Sequence, residues 1–171
     1  CATGSRPITP HIPGVELPNA VDALDVLNGV SPVKGATVVI GGGLVGTETA
    51  LHLAEKGTPV TLVEMLPEIM HGVAVTDCLA YQERIAKVDM TIYTGTRLLE
   101  IRPNEILVED RKETFTIPAD TVIMAIGLKA QQGLYQQLCE AGKEAYLVGD
   151  AVKPGKIFDA FHTAYRTALK I

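Results

Sequence analysis

Three spaced glycines and one downstream glutamate are the residues of this chain whose types and spacing point to chemistry. The glycines are Gly41, Gly43 and Gly46, in the pattern Gly-x-Gly-x-x-Gly, and Glu64 follows about twenty residues later. In such a pattern one glycine permits a sharp turn, one lets a pyrophosphate approach the backbone, and one lets a helix pack against a strand. The carboxylate of Glu64 could then accept hydrogen bonds from both hydroxyls of an adenosine ribose. These four residues together predict a dinucleotide-binding site.

The sequence around the glycines predicts the strand, turn and helix that this site requires. Apolar residues 38–40 predict a strand, and an Ala- and Leu-rich helix opens at Gly46. Gly57 follows where a left-handed helix cap is expected, and a second strand, residues 60–63, ends at Glu64. Phosphates would meet the N-terminus of the helix, where free N–H groups and the helix dipole favour an anion. Two alternatives stay open: a glycine-rich turn that binds nothing, and an S-adenosylmethionine site, whose glycines are usually spaced differently.

Composition and charge exclude several classes of function. The 171 residues suffice for one domain of ordinary size with small appendages, and 47% apolar residues are enough for a core. A formal charge of −5, without a cluster of Lys or Arg on any face, disfavours nucleic-acid and anionic-membrane partners. No apolar run is long enough to cross a bilayer. Because the chain starts at Cys1 rather than methionine, already inside a motif, we expect it to be a piece of a longer protein.

The cysteines and histidines show no spacing typical of a redox pair or a metal site. The three cysteines are far apart and form neither a C-x-x-C pair nor a zinc cluster, so we expect reduced thiols and a cytoplasmic location; they are Cys1, Cys78 and Cys139. The four histidines lack ligand spacing to one another, so we predict no metal; they are His11, His52, His71 and His162.

The segment before the glycines predicts an arm and one short helix. Four prolines within residues 1–18 exclude a helix there and predict an extended arm. Asn19 is placed to cap a short helix that stops at Gly29. Residues 31–35 then form a loop that leads into the strand at 38–40.

Beyond Glu64 the pattern predicts further strands, an antiparallel meander and a final helix. The predicted elements are, in order, a loop at 65–70, a polar helix at 75–87, a third parallel strand at 90–93, antiparallel strands at 98–102, 105–109 and 114–117, a buried strand at 121–125, a helix at 133–140, a strand at 145–148 and a helix at 156–171. The final helix has one apolar face, formed by Ile157, Ala160, Phe161, Ala164, Tyr165, Ala168 and Leu169. The fold class predicted is α/β, a Rossmann-like parallel sheet with a three-stranded antiparallel meander.

Four motifs in order resemble those of the pyridine nucleotide-disulfide oxidoreductase superfamily, whose members carry two dinucleotide-binding folds. Ala2-Thr3-Gly4-Ser5 resembles the motif where the FAD domain leads into the NAD(H) domain. Gly41-Gly42-Gly43-Leu44-Val45-Gly46-Thr47-Glu48-Thr49-Ala50 resembles the family's GGGxxGxExA, which is more specific than three glycines alone. Ala125-Ile126-Gly127 resembles the second such junction, and Val148-Gly149-Asp150-Ala151 resembles the late FAD motif. The four motifs cover nearly the whole chain.

The resemblance implies roles for two carboxylates. Glu48 would point toward the nicotinamide and help to place it beside the flavin, although it could be an ordinary polar helix residue. Asp150 would meet the ribityl chain or pyrophosphate of FAD, although it could be only a helix cap. With the residues argued from spacing, the predicted cofactor-binding set is Ala2, Thr3, Gly4, Gly41, Gly42, Gly43, Leu44, Val45, Gly46, Glu48, Glu64, Met65, Ala125, Ile126, Gly127, Gly149 and Asp150.

Within the superfamily, the sequence is most similar to NADH:flavin oxidoreductases such as 2-enoate and 2,4-dienoyl-CoA reductases. The phrases GGGLVGTETALHLAEKG, VEMLPEI and VGDAVKPGKIFDAF carry that similarity. In such proteins a barrel with FMN and an iron–sulfur cluster receives electrons from the dinucleotide domains. The 171 residues contain neither that barrel nor the first glycine-rich unit, which would hold the adenosine half of FAD. A dithiol enzyme of the thioredoxin reductase type is disfavoured, since no C-x-x-C is present.

The sequence therefore predicts an NAD(H)-binding domain of a flavin-dependent oxidoreductase at residues 19–148, with remnants of the FAD domain at 1–18 and 149–171. The parent protein would pass hydride from NADH to FAD, and this chain alone would bind NADH without retaining FAD. No residue is predicted to be an acid, base or nucleophile, since the cofactors do the chemistry. The expected partners are the missing FAD-domain half, the FMN and iron–sulfur barrel and, through the final helix, a second copy. A stand-alone dinucleotide-binding or sensor module without turnover is the alternative.

Overall fold

The computed structural model describes all residues, 1–171, and the chain forms two compact units. The larger, here the sheet unit, is residues 9–126; the smaller, here the terminal unit, is residues 1–8 together with 127–171. The strands are β1 (Ser5–Pro7), β2 (Ala20–Asp22), β3 (Thr37–Ile40), β4 (Val60–Val63), β5 (Met90–Tyr93), β6 (Arg97–Ile101), β7 (Glu105–Glu109), β8 (Thr114–Pro118), β9 (Thr121–Met124) and β10 (Leu128–Ala130). The helices are α1 (Ala23–Leu27), α2 (Leu44–Glu55), α3 (Val75–Ile85), α4 (Gly133–Glu140) and α5 (Ile157–Ala168), with a 3₁₀ turn at Gly149–Ala151.

The sheet unit is built on a five-stranded parallel sheet in the order β2-β9-β3-β4-β5. The chain leaves β3 through α2 and returns as β4 on one side, while β9 flanks β3 on the other. Ile40, the last residue of β3, pairs with Val63 of β4 and with Met124 of β9. β3 therefore lies where the strand order reverses, which is where open α/β sheets bind ligands at their carboxyl ends. The predicted α/β class with a parallel sheet is confirmed.

Both faces of this sheet are covered, which explains the unbroken apolar run of β3. Val38 and Ile40 point to a core shared with the antiparallel meander β6-β7-β8, which contributes Ile106 and Val108. Val39 points to the opposite core, shared with helices α1 and α2. Successive side chains of a strand point to opposite faces, so a strand covered on both sides is apolar at every position. The predicted meander is confirmed.

The prediction that Asn19 caps the first helix is wrong. Residues Ala20–Asp22 form strand β2, which pairs with β9, and the cap of α1 is Asp22, whose side chain accepts from the N–H of Leu24 at 2.8 Å. The Asn19 amide instead donates to the carbonyl of Arg102 at 2.9 Å. Asn19 has the right chemistry for a cap, but the available partner strand β9 takes the next three residues and moves the helix start.

The predicted strand at residues 145–148 does not form, and this prediction is also wrong. Its only backbone partner is Cys1, which donates from its amino terminus to the carbonyl of Tyr146 and accepts from the N–H of Val148. One residue cannot supply the repeated pairing that defines a strand. In the terminal unit, β1 pairs with β10 in an antiparallel ribbon. β1 lies within the predicted extended arm.

The remaining helices fall close to their predicted ranges. α3 ends at Ile85 rather than Lys87, α4 matches its prediction, and α5 is shorter at both ends than the predicted 156–171. Gly57 follows α2 with φ of 86°, the left-handed conformation expected of a helix cap. None of the helices combines the length and apolar content that a bilayer crossing needs.

The exposed side of α5 carries several large apolar side chains. Ala160 and Thr163 face the 3₁₀ turn, since Thr163 Oγ accepts from the N–H of Gly149 at 2.8 Å. The exposed large apolar residues of α5 and the residues after it are Ile157, Phe158, Phe161, Tyr165, Leu169 and Ile171. Of the predicted apolar face, Ala160 is therefore half-buried while Ile157, Phe161, Tyr165 and Leu169 lie at the surface of this unit.

Candidate functional site

Two of the spaced glycines are required by the tight connection between β3 and α2. Gly41 has φ of 104°, and a side chain there would place its Cβ 2.5 Å from the carbonyl oxygen of Ala125. A Cβ on Gly46 would lie 1.8 Å from the carbonyl oxygen of Gly41. Neither distance is compatible with any side chain, so the turn at Gly41 and the close approach of α2 at Gly46 both depend on glycine.

The third spaced glycine, Gly43, leaves open space at the N-terminus of α2. It is the N-cap of the helix, with φ of −66° and ψ of −174°, and it offers no side chain to cap the first N–H groups. No atom lies within 4 Å of the position that its Cβ would occupy. The fold itself does not need glycine here. An uncapped helix start beside open space is instead the arrangement that binds phosphate in dinucleotide folds.

Gly42 has a structural role that the sequence pattern did not reveal. A Cβ there would lie 2.8 Å from Ile69 Cγ2 and 2.9 Å from Glu64 Cβ. Its N–H donates to the carboxylate of Glu64, and its carbonyl accepts from the N–H of Met70 at 2.6 Å and from Thr47 Oγ at 3.1 Å. The glycine turn is therefore held from both sides at Gly42. The only signal in the sequence is that Gly42 completes a run of three consecutive glycines.

Glu64 is buried against the glycine turn. Its side chain is 7% exposed; one carboxylate oxygen accepts from the N–H of Gly42, and the other accepts from the N–H of Leu66 at 2.7 Å. An ionised carboxylate has about four acceptor positions, so each oxygen keeps capacity for one more donor. Glu64 can thus fix the turn and still accept from a ligand hydroxyl.

The loop after β4 is fastened to the same turn. Met65 begins the loop and is 67% exposed, while Met70 closes it and is buried. Met70 is the one non-glycine residue with positive φ, at 56°, a conformation that costs free energy for most side chains. The bond from its N–H to the Gly42 carbonyl accompanies this conformation. Met65 is left as an exposed apolar residue next to Glu64.

The ends of β3 and β9 meet beside the glycine turn. Ala125, which follows β9, donates its N–H to the carbonyl of Ile40 at 2.8 Å. The Cα of Ile126 lies 3.4 Å from the position of a Cβ on Gly41. The sheet unit thus brings Ala125 and Ile126, which follow β9, next to Gly41, which follows β3. Gly127, the next residue of that motif, belongs to the terminal unit, has φ of 112°, and accepts from the N–H of Ile8.

Glu48 is bonded to a residue that the sequence pattern did not identify. It lies on α2, four residues after Leu44, and its carboxylate accepts a hydrogen bond from the hydroxyl of Tyr81 on α3. This bond is the main reason that the pKa of Tyr81 is raised above its ordinary value of 10, with a smaller effect of burial. Arg84, one turn further along α3, donates two bonds of 2.9 Å to Glu55 of α2. No spacing rule connects residues 33 positions apart, so only the fold reveals the Glu48–Tyr81 pair.

The terminal unit brings the two predicted FAD motifs together. Ser5 donates from its hydroxyl to the carboxylate of Asp150 at 3.2 Å, and Asp150 also accepts from the N–H of Gly155 at 3.2 Å. Gly4 accepts from the N–H of Gln131 at 2.9 Å, and the hydroxyl of Thr3 donates to the carbonyl of Gln131. Ala2–Gly4 and Gly149–Asp150 are thus neighbours, as members of a common site would be.

No three His, Cys, Asp or Glu side chains of the chain gather into a group that could hold a metal ion. The three cysteines, Cys1, Cys78 and Cys139, are free thiols.

Comparison with known proteins connects this geometry to one family. A family model described as pyridine nucleotide-disulphide oxidoreductase matches residues 1–152. The chain is 36% identical over 200 residues to a metal reductase of Desulforamulus reducens, 40% identical over 177 residues to an NADH oxidase of Thermoanaerobacter brockii, and 32% identical over 179 residues to a cinnamate reductase of Clostridium sporogenes. Each match covers 99% of this chain but only 30%, 27% and 26% of the relative.

Among solved structures, a 2-naphthoyl-CoA reductase in complex with 2-naphthoyl-CoA superposes with a TM-score of 0.90 at 29% identity. The match covers 99% of this chain and 26% of that one. The chain therefore spans about a quarter to a third of the length of the proteins that it resembles.

Proposed function

The chain belongs to the pyridine nucleotide-disulphide oxidoreductase family, and from this premise we propose that it is the NAD(H)-binding part of a larger, FAD-dependent oxidoreductase. In the parent protein, NADH would pass a hydride to FAD. The observation that carries this proposal is the uncapped start of α2 beside the open space at Gly43. NAD(H) supplies the hydride chemistry when bound, while the residues of this chain bind and orient it.

The site fits a pyrophosphate without a basic side chain. The N–H groups of the first turn of α2 and the positive end of its dipole would hold the phosphates. Gly43 leaves the space, Gly41 and Gly46 keep the turn tight, and Glu64 holds Gly42 while retaining acceptor capacity for a ribose. Because backbone groups bind the anion, a net charge of −5 is no obstacle.

The terminal unit would belong to the FAD domain of the parent. The Ser5–Asp150 hydrogen bond supports this assignment, since it joins the two motifs to which the family resemblance gives FAD contacts. Only one glycine turn with a following helix and an acid at the next strand end exists in the chain, and that set is assigned to NAD(H). The isolated chain would therefore neither retain FAD nor turn over.

The electrons of the parent would go to a further reductase centre. The cinnamate reductase and the 2-naphthoyl-CoA reductase favour an enoate or CoA-thioester acceptor. The family resemblance implies that an FMN and iron–sulfur barrel of the parent would carry the electrons to it. The three free thiols favour the reducing cytoplasm as the location.

Equilibrium dialysis of the chain against FAD, followed by an NADH oxidation assay with an artificial electron acceptor, tests this division of labour. We expect flavin to be lost and no steady oxidation, because the missing helix-terminus phosphate site and ribose acid remove several factors of ten in affinity. Stoichiometric flavin or steady turnover would contradict the proposal.

A further inference from the structure

We propose that Tyr81 is a positioning residue for the nicotinamide half of NADH, because its hydroxyl sets the direction of the Glu48 carboxylate. This inference rests on the proposed function and on the role that the family resemblance implies for Glu48, which would face the nicotinamide. Tyr81 belongs to none of the glycine, acid or FAD motifs and lies on α3, outside the β3-turn-α2 unit.

The hydrogen bond acts on a carboxylate that would otherwise be free to rotate. Glu48 is exposed on α2, and Leu44 lies one turn before it on the same side of the helix, at the first position after Gly43. An exposed glutamate samples several rotamers, and ordering it has an entropic cost. The bond from Tyr81 restricts Glu48 before a ligand arrives, which is how preorganisation increases affinity.

Tyr81 is itself held in place by its neighbours. The guanidinium of Arg84 lies 5.7 Å from the centre of the Tyr81 ring, and the same guanidinium is paired with Glu55 on α2. α3 has no fully buried residue, and Tyr81 and Arg84 join it to α2 through hydrogen bonds to Glu48 and Glu55. A phenol is protonated at neutral pH and thus a donor, and the bond to Glu48 raises the pKa of Tyr81 further.

A cleft lies beside this link and reaches the helix start. It has a volume of about 290 Å³ and is lined by Leu44, Asp77, Ala80, Tyr81 and Arg84. This volume lies just below the usual range of ligand pockets, about 300–1,000 Å³, and the lining combines apolar and charged groups. Tyr81 therefore faces both Glu48 and a cleft that begins at the residue after the phosphate position.

Comparing NADH with ADP-ribose tests this role, since ADP-ribose keeps the adenosine and phosphates but lacks the nicotinamide. The dissociation constants of both ligands would be measured by calorimetry on the full chain, together with the fluorescence of bound NADH. We expect Tyr81→Phe to raise the NADH constant about 3- to 10-fold, the effect of one lost hydrogen bond, and to shift nicotinamide emission. The ADP-ribose constant should stay within about twofold.

Three further variants sharpen the test. Glu48→Ala, which removes the acceptor of the Tyr81 hydroxyl, should reproduce the same ligand dependence. The double variant should bind NADH no more weakly than the weaker single variant, because both changes remove one coupled interaction. Tyr165→Phe, at an exposed tyrosine of α5, is the matched control and should bind both ligands as the unaltered chain does.

The outcomes separate the inference from the function on which it rests. Unchanged NADH binding by Tyr81→Phe, or loss of affinity for both ligands by the same factor, would overturn the positioning role. Neither result would contradict NAD(H) binding by the unaltered chain. An unaltered chain that binds neither NADH nor ADP-ribose would overturn the proposed function, and this inference with it.

Discussion

Replacing Gly43 with valine should remove NADH binding while leaving the fold nearly unchanged. No atom lies within 4 Å of the added Cβ, and the backbone conformation of Gly43 is open to any residue. Valine is a poorer N-cap than glycine by about 1 kcal/mol or less. Restricting the unfolded chain offsets this by about 0.4–1 kcal/mol. The free energy of unfolding should therefore change by less than about 1 kcal/mol.

The effect on binding should be much larger. The methyl groups of valine would occupy the space where pyrophosphate oxygens accept from the first N–H groups of α2. Losing two hydrogen bonds to a charged group, at about 1.5–3 kcal/mol each, costs about 3–6 kcal/mol. The dissociation constant of NADH should then rise by at least about 100-fold.

Calorimetric titration with NADH and urea denaturation would measure both quantities on one sample. Gly46→Ala is the comparison variant in which stability itself is lost: its Cβ would lie 1.8 Å from the Gly41 carbonyl oxygen, so overpacking should cost about 3 kcal/mol of stability. Unchanged NADH affinity in Gly43→Val would refute the view that this turn holds phosphate.

Two further predictions follow from the carboxylates near the turn. NADH should bind more tightly than NADPH, because a 2′-phosphate near Glu64 would meet like charge. The repulsion is roughly 4 kcal/mol per charge pair at 4 Å and an effective dielectric of 20. Titration with both cofactors is the check, and equal or tighter NADPH binding would refute the role of Glu64 in binding the ribose. Glu48→Gln should lower the raised pKa of Tyr81 toward 10, because the carboxylate that stabilises the neutral phenol is gone. The Tyr81–Glu48 hydrogen bond contributes its full stabilisation below the pKa of tyrosine in the unfolded chain, about 10. That stabilisation is lost as the pH rises through the raised pKa of Tyr81 in the folded state. Ultraviolet titration of the tyrosines in both proteins measures the change, and identical curves would contradict the bond.

Local patterns allowed much of the sheet unit to be predicted. The apolar run of β3, the glycines and Glu64 lie within one βαβ segment, so their spacing determines which residues meet at the strand ends. The alternation in the meander likewise depends on neighbours along the chain. The family model confirms the superfamily that the motifs suggested. A cinnamate reductase and a 2-naphthoyl-CoA reductase are among the proteins that the chain matches.

The errors and omissions depend on long-range contacts. β2 forms because β9, about a hundred residues later, offers an edge, and this displaced the cap from Asn19 to Asp22. Residues 145–148 have the composition of a strand but no partner strand. The Tyr81–Glu48 bond and the fastening of Gly42 by Met70 join separate elements, so no periodicity encodes them.

Titration of the purified 171-residue chain with NADH is the most direct test of the central claim, that the turn between β3 and α2 holds a dinucleotide. The account predicts one saturable site per chain, with NADH displaced by ADP-ribose because both ligands share the pyrophosphate. Absence of saturable binding, or NADH binding that ADP-ribose leaves unaffected, would contradict it.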